Sequence, residues 1–405
     1  MENLTFFFLV LATFGSLEGS YSFKRGVDYF RFFSAVRHQP LGKFIPQVVV
    51  IIPCRDLNPG MEENLAAYFQ LDYTAYRILL VAGEKSDPCV SLLERARTKY
   101  PHVLSSLLFS GKTLKRSQKV HNLLHAVQQL TDRDQVLVFG DSDIRPSGCW
   151  LRRLVAPLVD PKVGISTGFR WYLPQAGNFS SVLRSVWDAG IASLMKKGDN
   201  LFAWGGAMAI RREVFESCAV QNYWENALSD DYTISQSIHD HALSIHFEPH
   251  CLSFSHEDCG LKYLLSWTKR QLVITRVYRQ RLWKLAFIGQ VLYSGTLWGG
   301  LTVVLLNLWK SNLKFDTETL GLAGMVMAVY LLSCMKGWIR LRAVSMLFPQ
   351  HAPLLRKHFK AYVLWGPIAS LLSLLGLVSS AFTKETRWCG IRYRMLSPQE
   401  TLVLD

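Results

Sequence analysis

Apolar residues gather at the two ends of this chain, and that distribution limits the fold more than any other feature. One run covers residues 4–17, and three longer runs cover 286–308, 319–337 and 361–382. A helix needs about 20 apolar residues to cross a bilayer, so each later run is about long enough to span and the first is short. The sequence therefore predicts a membrane protein with a non-membrane middle.

Charge and cysteine usage narrow the partners and the compartment. The net charge is +14, and the Lys and Arg residues flank the apolar runs instead of forming one stripe. Such flanks favour anionic lipid headgroups of a bilayer as the partner and disfavour nucleic acid. The 8 Cys residues contain no CxxC pair and no zinc spacing. Their scatter predicts no disulfide framework, which fits a reducing, cytosol-facing domain.

The middle of the chain alternates between short buried strands and helices. The β-branched run VVVIIP (48–53) is typical of a strand covered on both faces of a parallel sheet. The other predicted strands are 77–83, 103–109, 135–141 and 203–210, and the predicted helices are 59–70, 89–99, 118–130, 179–197 and 229–241. This order predicts an α/β domain with a mostly parallel sheet, in which ligands bind beyond the carboxyl ends of the strands.

We expect four consecutive segments along the chain. They are a membrane anchor at 1–20, a cytosolic α/β domain at 45–283, a membrane region at 284–383 and a cytosolic tail at 384–405. A cleaved signal peptide is the alternative for the first segment, and it is weakened by Glu2, because such peptides begin with basic residues. The basic stretch 338–360 is expected to face the cytoplasm.

The last apolar run is expected to re-enter the membrane instead of crossing it. If 361–382 crossed once, the basic residues that follow it would lie outside, against the positive-inside rule. The run also contains Gly366-Pro367, a pair that breaks or kinks a helix. The alternative is an ordinary spanning helix with a basic outer tail.

Two aspartates stand at the end of the predicted strand 135–141. Asp141 and Asp143 are one residue apart and can share a divalent cation, because Mg²⁺ and Mn²⁺ take hard oxygen ligands. Such a cation offsets the charge of a diphosphate as it leaves. The alternative is an Asx turn that caps the next segment. The position at a strand end favours the metal site.

A second acidic pair, Asp230 and Asp231, opens the predicted helix 229–241. Acids favour the first turn of a helix, so capping is one interpretation. The other is a general base, because an inverting transfer needs a carboxylate that takes the proton of the acceptor hydroxyl. Both can hold together, with one acid capping and the other in catalysis.

Three further features are candidate binding groups. Asp87 follows the strand 77–83, where it can contact the base or ribose of a nucleotide, and a solvated loop is the alternative. Lys119 lies at the start of the helix 118–130, where it can pair with phosphate, and a solvated Lys is the alternative. The stretch 267–276 combines Trp, Lys and Arg, which suits a diphosphate and an acceptor headgroup or, equally, an interfacial belt.

Taken in order, these pieces resemble the ceramide glucosyltransferases and their bacterial relatives, within the inverting family-two glycosyltransferases of the GT-A fold. The resemblance runs from about residue 45 to residue 400. The matching stretches are VVVIIPCRDLNPGMEENLAAYFQLDY from residue 48, SDP at 86–88, QKVHNL at 118–123, GDSDI at 140–144, GGAMAIRR at 205–212, SDDY at 229–232 and RWCGIRYRML at 387–396.

The resemblance implies a role for each matching residue. Asp87 would contact the donor nucleotide. Asp141 would lie at the diphosphate and, with Asp143, bind Mg²⁺ or Mn²⁺. Asp231 would be the general base, because the family pattern places that acid directly before a Tyr. Lys119 falls on the Lys of the family's K-x-x-N-L stretch.

The family's [QR]-x-x-R-W signature is met only in part. Trp267 matches its Trp, but the four residues before it include neither Gln nor Arg. Arg270 and Gln271 follow about one helical turn later and are expected to supply these contacts to the donor and acceptor.

The resemblance also implies a reaction. The reaction is the transfer, with inversion, of a hexose from a UDP-sugar to a hydroxyl group of a membrane lipid. Glucose is the expected sugar, and ceramide is the expected acceptor. Diacylglycerol or another lipid is the alternative acceptor, and a polysaccharide synthase is the alternative enzyme, although such enzymes keep an intact Q-x-x-R-W. An inactive membrane scaffold with the same fold is the non-enzyme alternative, and the presence of all three acids argues against it.

Overall fold

The structure is a computed structural model, and it describes residues 2–404 except Lys197, Asp199 and Asn200. The helices are α1 (Glu2–Val36), α2 (Met61–Tyr68), α3 (Val90–Lys99), α4 (Gln118–Val127), α5 (Trp150–Val155), α6 (Phe179–Ala192), α7 (Arg212–Ser217), α8 (Val220–Trp224), α9 (Asp230–Asp240), α10 (Leu261–Tyr278), α11 (Gln280–Ser294), α12 (Leu301–Lys310), α13 (Thr317–Leu347), α14 (Ala352–Lys357), α15 (Phe359–Leu364) and α16 (Gly366–Ala381). A π-helical turn, Gly295–Gly300, joins α11 to α12, and short 3₁₀ turns cover Ala156–Val159 and Pro349–His351.

The strands form two sheets. They are β1 (Val48–Pro53), β2 (Tyr76–Ala82), β3 (Ser105–Phe109), β4 (Val136–Gly140), β5 (Val163–Tyr172), β6 (Ala207–Arg211), β7 (Ser244–Ser255), β8 (Glu385–Trp388), β9 (Ile391–Ser397) and β10 (Glu400–Val403). The large sheet has 7 strands in the order β3-β2-β1-β4-β6-β5-β7, and the small one has 3 strands in the order β10-β9-β8. Only the pairs that involve β6 are antiparallel in the large sheet, which is therefore mostly parallel, as predicted.

Strand β1 lies at the centre of the large sheet, and its sequence explains why. Val50 pairs with Ile78 of β2 on one side and with Val138 of β4 on the other. Val48 to Ile52 are completely buried. A strand covered on both faces needs apolar side chains at every position, and the β-branched run supplies them.

Two strands of this sheet were not predicted, β5 and β7. All ten positions of β5 are buried, yet they include Ser166, Thr167 and Arg170. The polar side chains interrupt the apolar pattern on which strand prediction relies. Their burial indicates that this part of the sheet carries hydrogen-bonding groups as well as a core.

Contacts divide the chain into two compact units whose segments alternate along the sequence. The α/β unit comprises residues 38–172, 195–257 and 384–404, and the helical unit comprises residues 2–37, 173–194 and 258–383. This division differs from the consecutive segments expected from the sequence. Residues 173–194 and 258–283 belong to the helical unit, and the tail from residue 384 belongs to the α/β unit.

The first helix is longer than the predicted anchor at 1–20. It has 35 residues, and its stretch Asn3–Val36 is apolar and long enough to cross a membrane. Polar residues after Leu17 end the apolar run in the sequence, but the helix continues because Tyr29 and Phe33 are fully buried along one face. Ser22 also accepts a hydrogen bond from Lys336 Nζ of α13 at 2.8 Å.

The C-terminal apolar runs differ in length from the prediction. Helical segments Gln280–Lys310 and Thr317–Leu347 are long enough to cross a membrane, and the second includes residues 338–347 of the basic stretch 338–360. The run 361–382 is not one span, because α15 ends at Leu364 and α16 has only 16 residues. The break falls beside Pro367, which cannot continue the preceding helix.

The tail after residue 383 folds into the α/β unit as the small sheet. Tyr393, Met395 and Thr401 are buried, with at most 2% of each exposed. Val403 N donates to Leu114 O at 3.2 Å, which ties the last strand to the segment before α4. The alternation of buried and exposed residues along β9 is that of a strand with one face on a core.

Candidate active site

The start of α4 is fixed by a polar network at the carboxyl ends of β2 and β3. Ser117 caps the helix, with its Oγ accepting from Val120 N at 3.2 Å. Gln118 Nε2 donates to Gly111 O at 2.8 Å, and Asn122 Nδ2 donates to Val81 O at 3.1 Å. Both amides are buried, so their hydrogen bonds are costly to lose. The network sets the direction in which Lys119 leaves the helix.

Lys119 connects two acids that the sequence separates by 89 positions. Its Nζ lies 2.9 Å from Asp141 Oδ1 and 3.0 Å from Asp230 Oδ2, and it donates to Gly205 O at 3.3 Å. The second acid contact is an ion pair without good hydrogen-bond alignment. Burial would lower the pKa of the Lys119 ammonium, but Asp141 and Asp230 outweigh it and raise that pKa. Lys119 therefore stays charged.

Asp141 and Asp143 share a second cation, Arg170 of β5. Arg170 Nη2 lies 3.1 Å from Asp141 Oδ2 and 2.5 Å from Asp143 Oδ1, and Nη1 donates to Asp143 Oδ2 at 2.9 Å. Burial would raise the pKa of Asp141, but Lys119 and Arg170 lower it. The aspartate is thus ionised and covered by one cation on each carboxylate oxygen.

The backbone around Asp141 is held from two directions. Asp141 N donates to Gly206 O at 3.2 Å, and Tyr68 Oη donates to Asp141 O at 2.9 Å. Neither Gly205 nor Gly206 has room for a side chain. A Cβ at Gly205 would meet the Asp230 carboxylate and lie 2.8 Å from Lys119 Nζ, and one at Gly206 would lie 2.7 Å from Asp141 Oδ2. Glycine here is a requirement of the charged cluster.

The two acids at the start of α9 have different environments. Ser229 caps the helix, and its Oγ accepts from Tyr232 N at 3.2 Å. Asp230 points inward with 3% of its side chain exposed, and burial, opposed by Lys119, raises its pKa to about 6. Asp231 is half-buried, and its Oδ1 accepts from the Ser229 hydroxyl and from Tyr232 N at 2.8 Å. Asp230 is thus the structural partner of Lys119, and Asp231 is the accessible acid.

Asp87 joins the loops that follow β1 and β2. Its Oδ1 accepts from Asp56 N and from Cys89 N, both at 3.0 Å. Strand β1 lies between β2 and β4, so Asp87 and Asp141 follow strands that are two positions apart and end at the same edge of the sheet. Cys54 follows β1 and is buried, and burial together with the nearby Asp87 raises the pKa of its thiol.

The tail contacts the helix that carries Lys119. Tyr393 Oη accepts a hydrogen bond from Gln118 N at 3.3 Å. The first N–H groups of a helix have no partner within the helix, so an acceptor from outside satisfies one of them. A residue far along the chain thereby helps to fix the start of α4.

The structure brings together most of the predicted site residues. Lys119, Asp141 and Asp143 form one charged cluster with Asp230, and Asp231 is close enough to Lys119 to affect its pKa. Asp87 follows another strand at the same edge of the sheet. The roles assigned to these residues stay predictions.

The predicted acceptor-side residues lie in the helical unit, on α10. Trp267 is buried, and its ring packs edge-on against Trp187 with 5.2 Å between ring centroids. Arg270 and Gln271 follow it on the same helix and are half-buried. Their part in donor and acceptor binding stays a prediction.

Sequence reasoning missed Arg170, although a signal was present. It lies in a run of ten buried residues, VGISTGFRWY. A charged side chain is rarely buried without a charged partner, so an arginine inside a buried strand indicates acids beside it. The prediction failed because the run was not recognised as a strand.

The comparisons with known proteins agree on the class. The family profile described as Glycosyl transferase family 21 matches residues 8–400. Ceramide glucosyltransferase 1 of Caenorhabditis elegans is 20% identical over 199 residues, which cover 48% of this chain and 42% of that protein. Ceramide glucosyltransferase 3 of the same organism is 28% identical over 82 residues, 20% of this chain and 18% of that protein. The chain thus spans less than half the length of these curated relatives.

Two solved structures are among those that match this chain. A mannosyltransferase from Pyrobaculum calidifontis, in complex with GDP-Man and Mn²⁺, is 17% identical with a TM-score of 0.49, over 92% of this chain and 99% of that chain. Glucosyl-3-phosphoglycerate synthase from Mycobacterium tuberculosis, in complex with Mn²⁺, uridine-diphosphate-glucose and phosphoglyceric acid, is 13% identical with a TM-score of 0.39, over 57% of this chain and 79% of that chain.

An α/β domain with paired acids at a strand end, together with a profile match along nearly the whole chain, defines a glycosyltransferase. The chain belongs to glycosyl transferase family 21. The resemblance to the ceramide glucosyltransferase family and the enzyme class are confirmed. The predicted fold class is confirmed in its architecture: an α/β domain with a mostly parallel sheet, and apolar helices toward both ends of the chain.

The close approach at Gly205 gives a direct test of the cluster. Gly205→Ala should lower the rate of sugar transfer about tenfold or more, because the methyl group must push Asp230 and Lys119 apart. Overpacking of this kind costs about 1–3 kcal/mol. Gly148→Ala is the control, since a Cβ there meets open space. Initial rates with membranes that carry equal amounts of each protein are compared, and near-normal transfer by Gly205→Ala would show that the cluster does not act in the reaction.

Proposed function

We propose that the protein transfers a hexose, glucose in the first instance, from a UDP-sugar to a hydroxyl group of a membrane lipid, with inversion at the anomeric carbon. Ceramide is the proposed acceptor, as the names of the curated relatives suggest. The observation that carries the proposal is the cluster of Lys119, Asp141 and Asp143 at the carboxyl edge of the sheet. Acids and cations at one edge of the sheet suit a diphosphate donor, because they supply both metal ligands and phosphate partners.

The residues of the cluster fit a divalent cation. Asp141 and Asp143 offer hard carboxylate oxygens and are partly exposed, with 21% and 30% of their side chains accessible. The described residues contain no group of three His, Cys, Asp or Glu side chains that could hold a metal. Further ligands would therefore come from the diphosphate and water, as is usual for Mg²⁺. When bound, Mg²⁺ or Mn²⁺ would offset the charge that builds on the departing diphosphate.

Asp231 is the proposed general base. The Ser229 hydroxyl and Tyr232 N–H hold its Oδ1, which orients the carboxylate and leaves Oδ2 as the basic oxygen. In the proposed step, the acceptor oxygen forms a bond to the anomeric carbon as the bond from that carbon to the diphosphate breaks. UDP leaves with the electron pair, and the hydroxyl proton passes to Asp231. Asp230 is less suited to this task, because it is buried against Lys119.

Lys119 has a different task in this scheme. Its ammonium is charged and fixed between Asp141 and Asp230 before any donor arrives. A preorganised cation stabilises developing negative charge without the cost of reorganisation during the reaction. Lys119 would therefore contact the diphosphate as it leaves, and Asp87 would contact the nucleoside from its loop along the same edge.

We propose that the α/β unit faces the cytosol, where UDP-sugars are made. The segment 258–383 begins and ends at this unit, because residues 384–404 belong to it. A segment that leaves one side of a membrane and returns to that side crosses an even number of times. Gln280–Lys310 and Thr317–Leu347 supply two crossings, so α16 enters without crossing. Its 16 residues are fewer than the roughly 20 that a span needs.

Product analysis tests the proposed reaction. Membranes that contain the protein are incubated with labelled UDP-glucose and Mn²⁺ or Mg²⁺, and the labelled lipid is identified together with its anomeric configuration. We expect a β-linked glucosyl ceramide from an α-linked donor. A labelled diacylglycerol would show that the alternative lipid is the acceptor, and a long sugar polymer would indicate a polysaccharide synthase. The absence of transfer from any UDP-sugar would contradict the proposed function.

The role of Asp231 makes a sharper prediction. Asp231→Asn should lower turnover about 10²–10⁴-fold, because the base is lost, while UDP-sugar affinity stays within about threefold. Asp240→Asn is the matched control, since Asp240 ends the same helix on its exposed side, bonded to Tyr223 and Gln236. Donor affinity is measured by calorimetry on the purified protein. A parallel fall in donor affinity would place Asp231 in the donor site instead.

The orientation can be measured with one cysteine. Ser397→Cys is made in a Cys389→Ser background, because Cys389 is exposed in the same tail. A membrane-impermeant thiol reagent should leave intact cells unlabelled at residue 397 and label it once the membrane is opened. Ready labelling from outside would mean that α16 crosses the membrane and that the tail lies apart from the cytosol.

A further inference from the structure

Arg170 already occupies the acids to which the proposed function assigns a metal. Its two Nη groups contact both oxygens of Asp143, at 2.5 and 2.9 Å, and Nη2 contacts Asp141 at 3.1 Å. The pairing with Asp143 is the bidentate arrangement in which arginine–carboxylate bonds are strongest. A metal ion that binds Asp143 therefore competes with the guanidinium for the same two oxygens.

The guanidinium is enclosed by aromatic rings. Its central carbon lies 5.3 Å from the ring centroid of Trp204 and 5.5 Å from that of Tyr172. Only 11% of the Arg170 side chain is exposed. A cation in such a place is stable while an anion covers it and costly when no anion does. Removal of the acids from Arg170 thus requires that another anion replace them.

The charge balance of the cluster also indicates that an added anion would stabilise the displaced guanidinium. Two cations, Lys119 and Arg170, face four acids, which are Asp141, Asp143, Asp230 and Asp231. The unbalanced negative charge attracts a divalent cation, but its ligands are already paired. A diphosphate would bring the negative charge that the displaced guanidinium needs.

We propose that Arg170 is a displaceable counter-ion that couples metal binding to nucleotide binding. Without nucleotide it holds Asp141 and Asp143 in place and keeps metal affinity low. When a nucleoside diphosphate binds, the guanidinium exchanges Asp143 for a phosphate oxygen, and the metal takes the vacated carboxylate. This inference rests on the proposed UDP-sugar donor. Because coupling is reciprocal, Mn²⁺ must raise UDP affinity by the same factor as UDP raises Mn²⁺ affinity.

The coupling is measured as Mn²⁺ binding to the purified full-length protein. The free Mn²⁺ signal in electron paramagnetic resonance is titrated with and without saturating UDP, and Mn²⁺ bound by UDP alone is subtracted. For the native protein we expect weak binding of Mn²⁺ alone and binding about tenfold tighter or more with UDP, within the usual range of coupling. The Arg170→Gln variant should bind Mn²⁺ alone about tenfold more tightly than the native protein does. UDP should then increase the Mn²⁺ affinity of this variant by a smaller factor than it does in the native protein.

Two other variants complete the test. Arg212→Gln is the matched control: it removes an arginine that is also bonded to a carboxylate, Glu216 at 2.7 Å, but at the surface of the same unit. It should behave as the native protein does. The Arg170→Lys variant keeps the positive charge but cannot form the bidentate pair with a carboxylate. It should bind Mn²⁺ alone with an affinity between those of the native protein and Arg170→Gln. It also provides a measurement if Arg170→Gln folds poorly.

Two outcomes would overturn the inference. One is Mn²⁺ binding to the Arg170 variants, without UDP, that is no tighter than to the native protein. The other is native Mn²⁺ affinity that UDP leaves unchanged. Either could occur while glucosyl lipid is still made, in which case the proposed function stands. Coupling as expected without any sugar transfer would contradict the proposed function alone.

Discussion

The pairing of the partly buried Lys119 ammonium with two acids is the interaction on which the site depends. It joins helix α4 to Asp141 at the end of β4 and to Asp230 at the start of α9. These segments come together only when the sheet has formed, and buried charges are stable only when they are paired. The site residues therefore reach their positions only when the sheet and the two helices have folded. Several surrounding features serve this cluster, including the glycine pair before β6 and the amide network at the start of α4.

The proposal gives the two cations of the cluster different degrees of freedom. Lys119 is held by a capped helix and by partners on three sides, so it acts as a fixed charge. Arg170 is held by acids that are partly exposed and that are the proposed metal ligands. In the proposed scheme, the fixed charge favours the leaving group, and the displaceable charge keeps the acids in place between turnovers.

Much of the fold followed from the sequence because its signals were local. Continuous apolar runs identified β1, β2 and β4, and the acids at their ends identified one edge of the sheet. Features that depend on distant partners were not predicted. Strand β5 lacks a continuous apolar pattern because it contains Ser166, Thr167 and Arg170, and the burial of Arg170 depends on Asp143 and Asp141, which lie outside the strand. Likewise, α1 continues past its apolar run because α13 covers its aromatic face, and no local signal shows that.

The most direct test of this account is an experimental structure of the full-length protein with UDP and Mn²⁺. The account predicts the diphosphate beside Lys119, the metal on Asp141 and Asp143, and the Arg170 guanidinium turned from Asp143 to a phosphate oxygen. Nucleotide bound away from this edge of the sheet would contradict the assignment of the site. Metal bound while Arg170 still pairs with Asp143 would contradict the exchange of cations that links metal to donor.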